Sequence, residues 1–211
     1  MNDSWTTLLD HGWIVSTLKP REFLQNRPLV LLHGLSGDEN SLKSLVQNVR
    51  RNRWLISLRG ILPAQDQGYA WAPAKTRDEH GFQASVQEFS QEWQNIRALL
   101  EFSSPNLDLF GFSQGAAFAA LLLLNYPNWI RNLAFVSGFI PEPDPSFNPP
   151  SLAGHRIFVS HGTQDDVVPF SESERSTKYF ESLGAEVIFC KSNTRHKIGA
   201  YCLQQLNDFF G

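Results

Sequence analysis

Leu107-Asp108-Leu109-Phe110-Gly111-Phe112-Ser113-Gln114-Gly115 runs from an apolar stretch into a serine set between glycines, and residues 116–124 are all alanine, phenylalanine or leucine. A short apolar run, a G-x-S-x-G turn and a run of helix formers read as strand, sharp turn and helix. In that setting the glycines allow a tight strand-to-helix turn that lifts the Ser113 hydroxyl clear of the backbone. A helix starting at Gln114 aims free N–H groups and its positive dipole end at the same point. A chance glycine-rich turn can carry the same five letters. The strand before and the helix after make Ser113 a candidate nucleophile.

Working outward, short apolar runs alternate with segments of helical period. Leu29-Val30-Leu31-Leu32, Trp54-Leu55-Ile56-Ser57-Leu58 and Leu133-Ala134-Phe135-Val136 are such runs, as are Arg156-Ile157-Phe158-Val159 and Glu186-Val187-Ile188-Phe189. Several are apolar almost throughout, as for strands covered on both faces. A further strand near residues 13–18 is expected at one edge. Over 81–102, Phe82, Val86, Phe89, Trp93, Ile96 and Leu100 recur at steps of three and four and predict one long amphipathic helix. Leu42, Leu45, Val46 and Val49 predict a shorter one, and Ile198, Tyr201, Cys202, Leu206 and Phe209 a last one. Ser171 and Glu174 read as a capping box, and Gly184 as the close of the helix that box would open. The alternation predicts an α/β fold, a mostly parallel sheet with helices on both faces. Residues 63–80 and 141–150, the latter with five prolines, follow strands and should lie at the carboxyl edge, where such sheets bind ligands. They leave little chain for a cap, so an open cleft is expected. With no internal repeat or linker, residues 1–211 read as a single domain.

Composition excludes several classes. The 211-residue chain carries 18 Lys and Arg against 21 Asp and Glu, a formal charge of −3, which argues against nucleic acid as a partner. The longest apolar stretch falls far short of the ~20 residues of a membrane span, so no stable membrane insertion is expected. The start of the chain carries no basic, apolar leader, which with the rest suggests a cytoplasmic protein. Only two cysteines, Cys190 and Cys202, are present, which suits a reducing compartment and a chain that is not disulfide-stapled. No metal or cofactor is expected. A monomer and a homodimer fit equally well.

A serine needs a base at neutral pH, and in this topology the chain order is Ser, then Asp or Glu, then His. His155 precedes a strand and His161 reads as a strand-end residue that braces a turn. His196, in the polar loop between the last strand and last helix, stands where the base belongs. Asp165 and Asp166 both follow the strand ending near Ser160, and spacing does not separate them as the acid that orients His196. An oxyanion hole needs two amides. One falls to Gln114, the residue after the nucleophile. The other falls in His33-Gly34-Leu35-Ser36-Gly37, with Leu35 favoured and Ser36 next. That loop lacks the lysine and spacing of a phosphate cradle. Trp5, Trp54, Trp93 and Trp129 read as packing residues, and His11 and His80 as surface histidines.

With these residues in hand, the chain resembles the phospholipase/carboxylesterase family of α/β hydrolases, which includes acyl-protein thioesterases and small bacterial carboxylesterases. The resemblance runs from Leu31 to about Phe209. It rests on Leu32-His33-Gly34-Leu35, Gly68-Tyr69-Ala70-Trp71, the G-F-S-Q-G segment, Ser137-Gly138-Phe139-Ile140-Pro141, and His161-Gly162-x-x-Asp165-x-Val167-Val168-Pro169. It implies that Asp165, four residues after the histidine, is the triad acid. It also implies that Leu35 and Gln114 supply the oxyanion amides and that Trp71 lines the acyl pocket. Tyr69 and Phe139 are further candidates for an apolar substrate site. The departures are Ser36, inserted before Gly37-Asp38, and Thr194-Arg195-His196-Lys197, where the family commonly sets a glycine beside the histidine. The implied activity is hydrolysis of carboxylic esters or thioesters of small to medium acyl groups through an acyl-enzyme. Acyl transfer or peptide cleavage on the same fold, and a catalytically silent binding module, are the competing readings.

Overall fold

The apolar runs form strands whose side chains alternate between two buried faces. In the computed structural model, which describes residues 4–10, 12–20, 27–47, 49, 53–102 and 106–210, the strands of the main sheet are β1 (Thr6–Asp10), β2 (Trp13–Leu18), β3 (Leu29–Leu32), β4 (Leu55–Leu58), β7 (Leu107–Phe112), β8 (Ile130–Val136), β9 (Arg156–Gly162) and β10 (Glu186–Ser192). A two-stranded ribbon, β5 (Leu62–Pro63) with β6 (Tyr69–Ala70), stands apart. The sheet order is β1-β2-β4-β3-β7-β8-β9-β10. Pairing is parallel from β4 through to β10 and antiparallel at β1–β2 and β2–β4. His11 lies outside the described residues.

Val30, Leu32, Ile56, Leu109, Phe135 and Val159 point to one face. There they meet α1 (Gln83–Leu99), α2 (Gln114–Asn125) and α3 (Phe170–Ser182). Leu29, Leu31, Leu55, Phe110, Val136 and Phe158 point to the other, against α4 (Ala200–Phe209) and the 42–49 segment. The period of two thus splits one run of leucine and valine into two cores. Helix α2 is buried from Gln114 through Leu124, which accounts for its apolar character all round. The long predicted helix is α1, entered through a short 3₁₀ turn at His80–Phe82. Gly184 has φ of +91° and closes α3 as expected.

Several expectations are corrected. The strand at 13–18 is not the edge, because β1 pairs outside it in antiparallel register. Its alternation was hidden in a short polar segment, Thr6-Thr7-Leu8-Leu9-Asp10. The 42–49 helix is only a 3₁₀ turn, Lys43–Val46, though Leu42, Val46 and Val49 are buried as their spacing required. The capping box does not form. Helix α3 starts at Phe170, after Pro169 in extended geometry and without a side-chain cap, so Ser171 lies inside the first turn. Phe170 already packs edge-on against His161, which draws the helix start forward. Finally, Cys190 and Cys202 are joined in a disulfide, with Cα atoms 5.8 Å apart. Strand β10 and the first turn of α4 bring both sulfurs into the second core, and the argument for a reducing compartment falls with it.

At the amino edge Asp108 is wholly buried. Its Oδ2 accepts a 2.7 Å bond from Arg53, and its Oδ1 accepts from Arg27 at 3.1 Å and from the Asn132 side-chain amide at 2.9 Å. This knot ties β7 and β8 to the segments leading into β3 and β4, where β7–β8 pairing shifts register between Leu107 and Asp108.

Candidate active site

Strand β7 ends at Phe112 and α2 begins at Gln114, leaving Ser113 alone at the turn with φ of +54° and ψ of −119°. Non-glycine residues avoid positive φ, so the conformation must be imposed by its surroundings. The Ser113 amide donates to the Val136 carbonyl at 2.9 Å, and its carbonyl accepts from Ala116 and Ala117. The flanking glycines are required by contact. A Cβ on Gly115 would lie 2.1 Å from the Leu32 carbonyl oxygen, and one on Gly111 would lie 2.4 Å from that of Gly115. The spacing of the motif is therefore a packing condition on β3, β7 and α2.

His196 sits in the loop between β10 and α4, its side chain 19% exposed. Its Nε2 is 2.9 Å from Ser113 Oγ and its Nδ1 is 2.7 Å from Asp165 Oδ2. Asp165 can only accept when ionised, so Nδ1 carries the proton and Nε2 faces the serine hydroxyl as acceptor. Asp165 is held in turn, with Oδ1 accepting from the amides of Val167 and Val168 at 2.9 Å each. His161 Nε2 lies 2.9 Å from the Val168 carbonyl and 3.2 Å from Asp165 Oδ2, so the histidine braces this turn. Burial holds His161 below the ordinary histidine pKa. Asp166 points the other way and pairs with Arg195 at the surface. Of the two aspartates left open by spacing, Asp165 is the one that reaches His196. The Phe112 ring lies 5.1 Å from the His196 ring and limits its tilt.

Leu35 and Gln114 reach the same edge. Among the described residues the Leu35 amide has no carbonyl acceptor, whereas the next amide, Ser36, donates to the Tyr69 carbonyl at 3.0 Å. The Gln114 amide opens α2 and has no acceptor within the helix. Three ties set the Leu35 loop. His33 donates from Nδ1 to the Gly34 carbonyl at 2.7 Å and accepts at Nε2 from the Gly60 amide at 2.9 Å. Gly37 pairs with Tyr69 in antiparallel fashion. Buried Glu39 accepts two bonds from Arg59, at 2.6 and 2.9 Å, and Arg59 in turn donates to the Tyr69 hydroxyl at 3.2 Å. Burial keeps His33 neutral, with its pKa lowered, as this donor–acceptor pattern needs. The Arg59 bonds hold Glu39 below the usual carboxylate range.

The substrate candidates fall differently. Trp71, which the resemblance sets on the acyl pocket, is fully buried at 0% exposure. Its ring stacks on Phe118 at 4.6 Å and its Nε1 donates to the His33 carbonyl at 2.8 Å. A side chain so enclosed supports the Leu35 loop from below and does not line an open surface. Tyr69 is half-buried under the Arg59 guanidinium. Phe139 is 7% exposed with Arg77 4.1 Å above its ring. Residues 63–80 and 141–150 meet each other, through the Asp78–Glu142 bridge and the Glu79 and Glu142 amides. A cavity of about 490 Å³ adjoins His196, lined by Gln164, Asp166, Asn193, Arg195 and Lys197. A larger one, about 590 Å³, lies between α1, the end of α2 and the proline-rich loop, away from Ser113.

The sequence pattern of the Phospholipase/Carboxylesterase family matches residues 17–211. The chain belongs to that family. It is thereby an ester hydrolase, and its sheet is that of the α/β-hydrolase fold. Among phospholipase/carboxylesterase relatives, acyl-protein thioesterase 1 of Schizosaccharomyces pombe is 27% identical over 167 residues, covering 72% of this chain and 74% of its own. A carboxylesterase of Bacillus cereus shares the fold with a TM-score of 0.84 at 23% identity, over 93% of this chain and 92% of its own. A carboxylesterase from Mesorhizobium loti does so with a TM-score of 0.84 at 21% identity, over 97% of each chain.

Sequence reasoning missed three members of this site. Glu39 and Arg59 belong to no motif, and only the burial of Glu39 and its pairing with Arg59 reveal them. The Gln114 side chain, chosen only for its amide, accepts from the Trp71 amide and donates to the Ala72 carbonyl at 2.9 Å each. It therefore straps the nucleophile helix to the Tyr69–Trp71 segment.

Proposed function

We propose that this protein hydrolyses carboxylic esters or thioesters of small to medium acyl groups through an acyl-enzyme on Ser113, within one domain spanning residues 1–211. The observation that carries the reading is the unbroken line from Ser113 Oγ through His196 to Asp165, at 2.9 and 2.7 Å. His196 takes the serine proton at Nε2 as the hydroxyl attacks the carbonyl, and Asp165 stabilises the imidazolium that forms. The amides of Leu35 and Gln114 hold the oxyanion, an interaction whose loss costs about 10²–10³ in turnover for one donor. His196 then gives its proton to the leaving alcohol or thiol. Water, deprotonated by the same nitrogen, releases the acid and frees Ser113. Thioesters are included because a relative is named as an acyl-protein thioesterase.

The test pairs a fluorophosphonate probe with a substrate panel. Ser113 should be the labelled residue by mass spectrometry, and p-nitrophenyl esters of short to medium chain should turn over, with acyl thioesters run beside them. No labelling at Ser113, or full ester turnover by Ser113→Ala, removes the proposal.

A further inference from the structure

We infer that the Cys190–Cys202 disulfide is a positioning element of the site, a clamp that fixes the two ends of the loop carrying His196. The inference rests on the reading of His196 as the general base. Cys190 lies in β10 two residues before that strand ends, and Cys202 lies in the first turn of α4. The bond spans 12 positions and His196 is midway between its ends.

The strand side of the loop is already well held. Thr163 donates to the Ser192 carbonyl at 2.8 Å and Gln164 to the Thr194 carbonyl at 3.0 Å. Gly162 admits the loop so closely that a Cβ there would lie 2.2 Å from the carbonyl oxygens of Thr194 and Arg195. The Thr194 hydroxyl caps the turn on the Lys197 carbonyl at 2.9 Å. The helix side is different. Helix α4 meets the sheet through Cys202, Leu206 and Phe209, and such apolar contacts resist separation better than sliding. The disulfide adds a covalent tie at the start of the helix, whereas the Arg156 guanidinium over the Phe209 ring holds its far end. The disulfide lies in the core, with Cys190 at 4% and Cys202 at 0% exposure, so it acts on the rigid part of the loop's base.

A shift of α4 along the sheet would move the helix end of the loop and redirect the His196 ring. His196 must keep two hydrogen bonds in line at once, and a displacement of about 1 Å at such a group can cost on the order of 10² in rate. The oxyanion amide proposed at Leu35 lies on a different loop, after β3, which the clamp does not touch. Loss of the clamp should therefore lower kcat and leave KM alone.

The experiment compares wild type, Cys190→Ala/Cys202→Ala and His196→Ala on a p-nitrophenyl ester, well below every Tm. The double variant is expected to lose about tenfold in kcat and in the rate of fluorophosphonate labelling, with KM within about twofold. If that variant does not fold, wild type is treated with dithiothreitol in sub-denaturing urea. The reagent closes to its cyclic disulfide and leaves two protein thiols, which are counted. Oxidised dithiothreitol then reverses the exchange, and kcat should fall and recover in step. Two free thiols in untreated, denatured protein overturn the inference. So does a lowered Tm with unchanged kcat, which makes the bond a stability element alone. Those results, with His196→Ala inactive, strike only the clamp, whereas a fully active His196→Ala overturns the reading of the base as well.

Discussion

Strand β7 has Asp108 near one end and Ser113 just beyond the other, and the two ends treat polar groups in opposite ways. Asp108 is fully buried, and its oxygens are matched by two guanidinium groups and the Asn132 amides. Ser113 holds an unfavourable φ and stands between amides that have no carbonyl acceptor among the described residues. Satisfied charge marks the end that only has to hold the sheet. Forced backbone and unmatched donors mark the end where a substrate has to bind. The two ends should therefore fail in different measurements. The largest effect is expected from Ser113→Ala or His196→Ala, each lowering kcat by at least about 10⁴ because the triad acts as a unit. Their melting temperatures should stay close to wild type. A loss of activity that merely tracks unfolding would erase the contrast.

Asp108→Ala should do the reverse. It leaves Arg53, 7% exposed, without its carboxylate, and breaking a buried pair from one side costs about 3–5 kcal/mol. Urea denaturation should show that loss in the midpoint, while kcat per folded molecule is unchanged. A fall in kcat with intact stability would mean that the amino edge takes part in the chemistry.

A third expectation joins the two kinds of readout. Ser113→Gly relieves the positive φ and should raise stability by about 1 kcal/mol while abolishing turnover. An unchanged or lower denaturation midpoint would show that the turn at Ser113 is not strained.

How much of this was legible in the letters depends on where each signal resides. The strands and α2 were readable because burial on both faces leaves continuous apolar runs, and the G-x-S-x-G spacing because van der Waals contact with β3 excludes any side chain at Gly115. Ser113 is read from that motif between a strand and a helix, and His196 from chain order and its loop between the last strand and the last helix. Strand β1 was not readable, since an edge strand with one neighbour has little apolar pattern to show. The Asp108 knot and the Glu39–Arg59 pair were invisible for a different reason. Their partners lie 81 and 20 residues away, and nothing local distinguishes a buried carboxylate from a solvated one. The disulfide belongs with them. Two cysteines 12 apart are compatible with a strand–helix bridge, but only the packing of β10 on α4 brings them together.

Acid should act on the carboxyl edge in two steps. His33 and His161 both have pKa values lowered from 6.5 by burial, so the unfolded chain binds protons that the folded one refuses. Their contribution is fully present above pH 6.5 and is lost as pH falls through their folded values. Protonation of His33 also removes the acceptor for the Gly60 amide and loosens the Leu35 loop. Asp38 and Glu39 are shifted below the ordinary carboxylate range, so their contribution is lost only in a lower window. Melting temperature should therefore decline in two stages below neutrality, and His33→Gln should flatten the upper one. A slope unaltered by that change would assign the upper stage to His161.

The smallest effect is expected at Asp166, the neighbour of Asp165. Asp165 has a fully buried side chain and contacts His196, whereas Asp166 and Arg195 are 51% and 72% exposed and share their charge with water. Exposed pairs are screened, and this one touches neither Ser113 nor the His196 ring. Asp166→Asn should leave kcat within about twofold of wild type, the range expected when a surface pair alone is lost. Asp165→Asn keeps the shape but offers a donor where His196 needs an acceptor, which selects the wrong imidazole tautomer and should lower kcat by about 10⁴. Equal losses in the two variants would mean that His196 is oriented by the whole turn and not by one carboxylate, and the contrast between a held carboxyl edge and a screened surface would have to be redrawn around the backbone of 161–168.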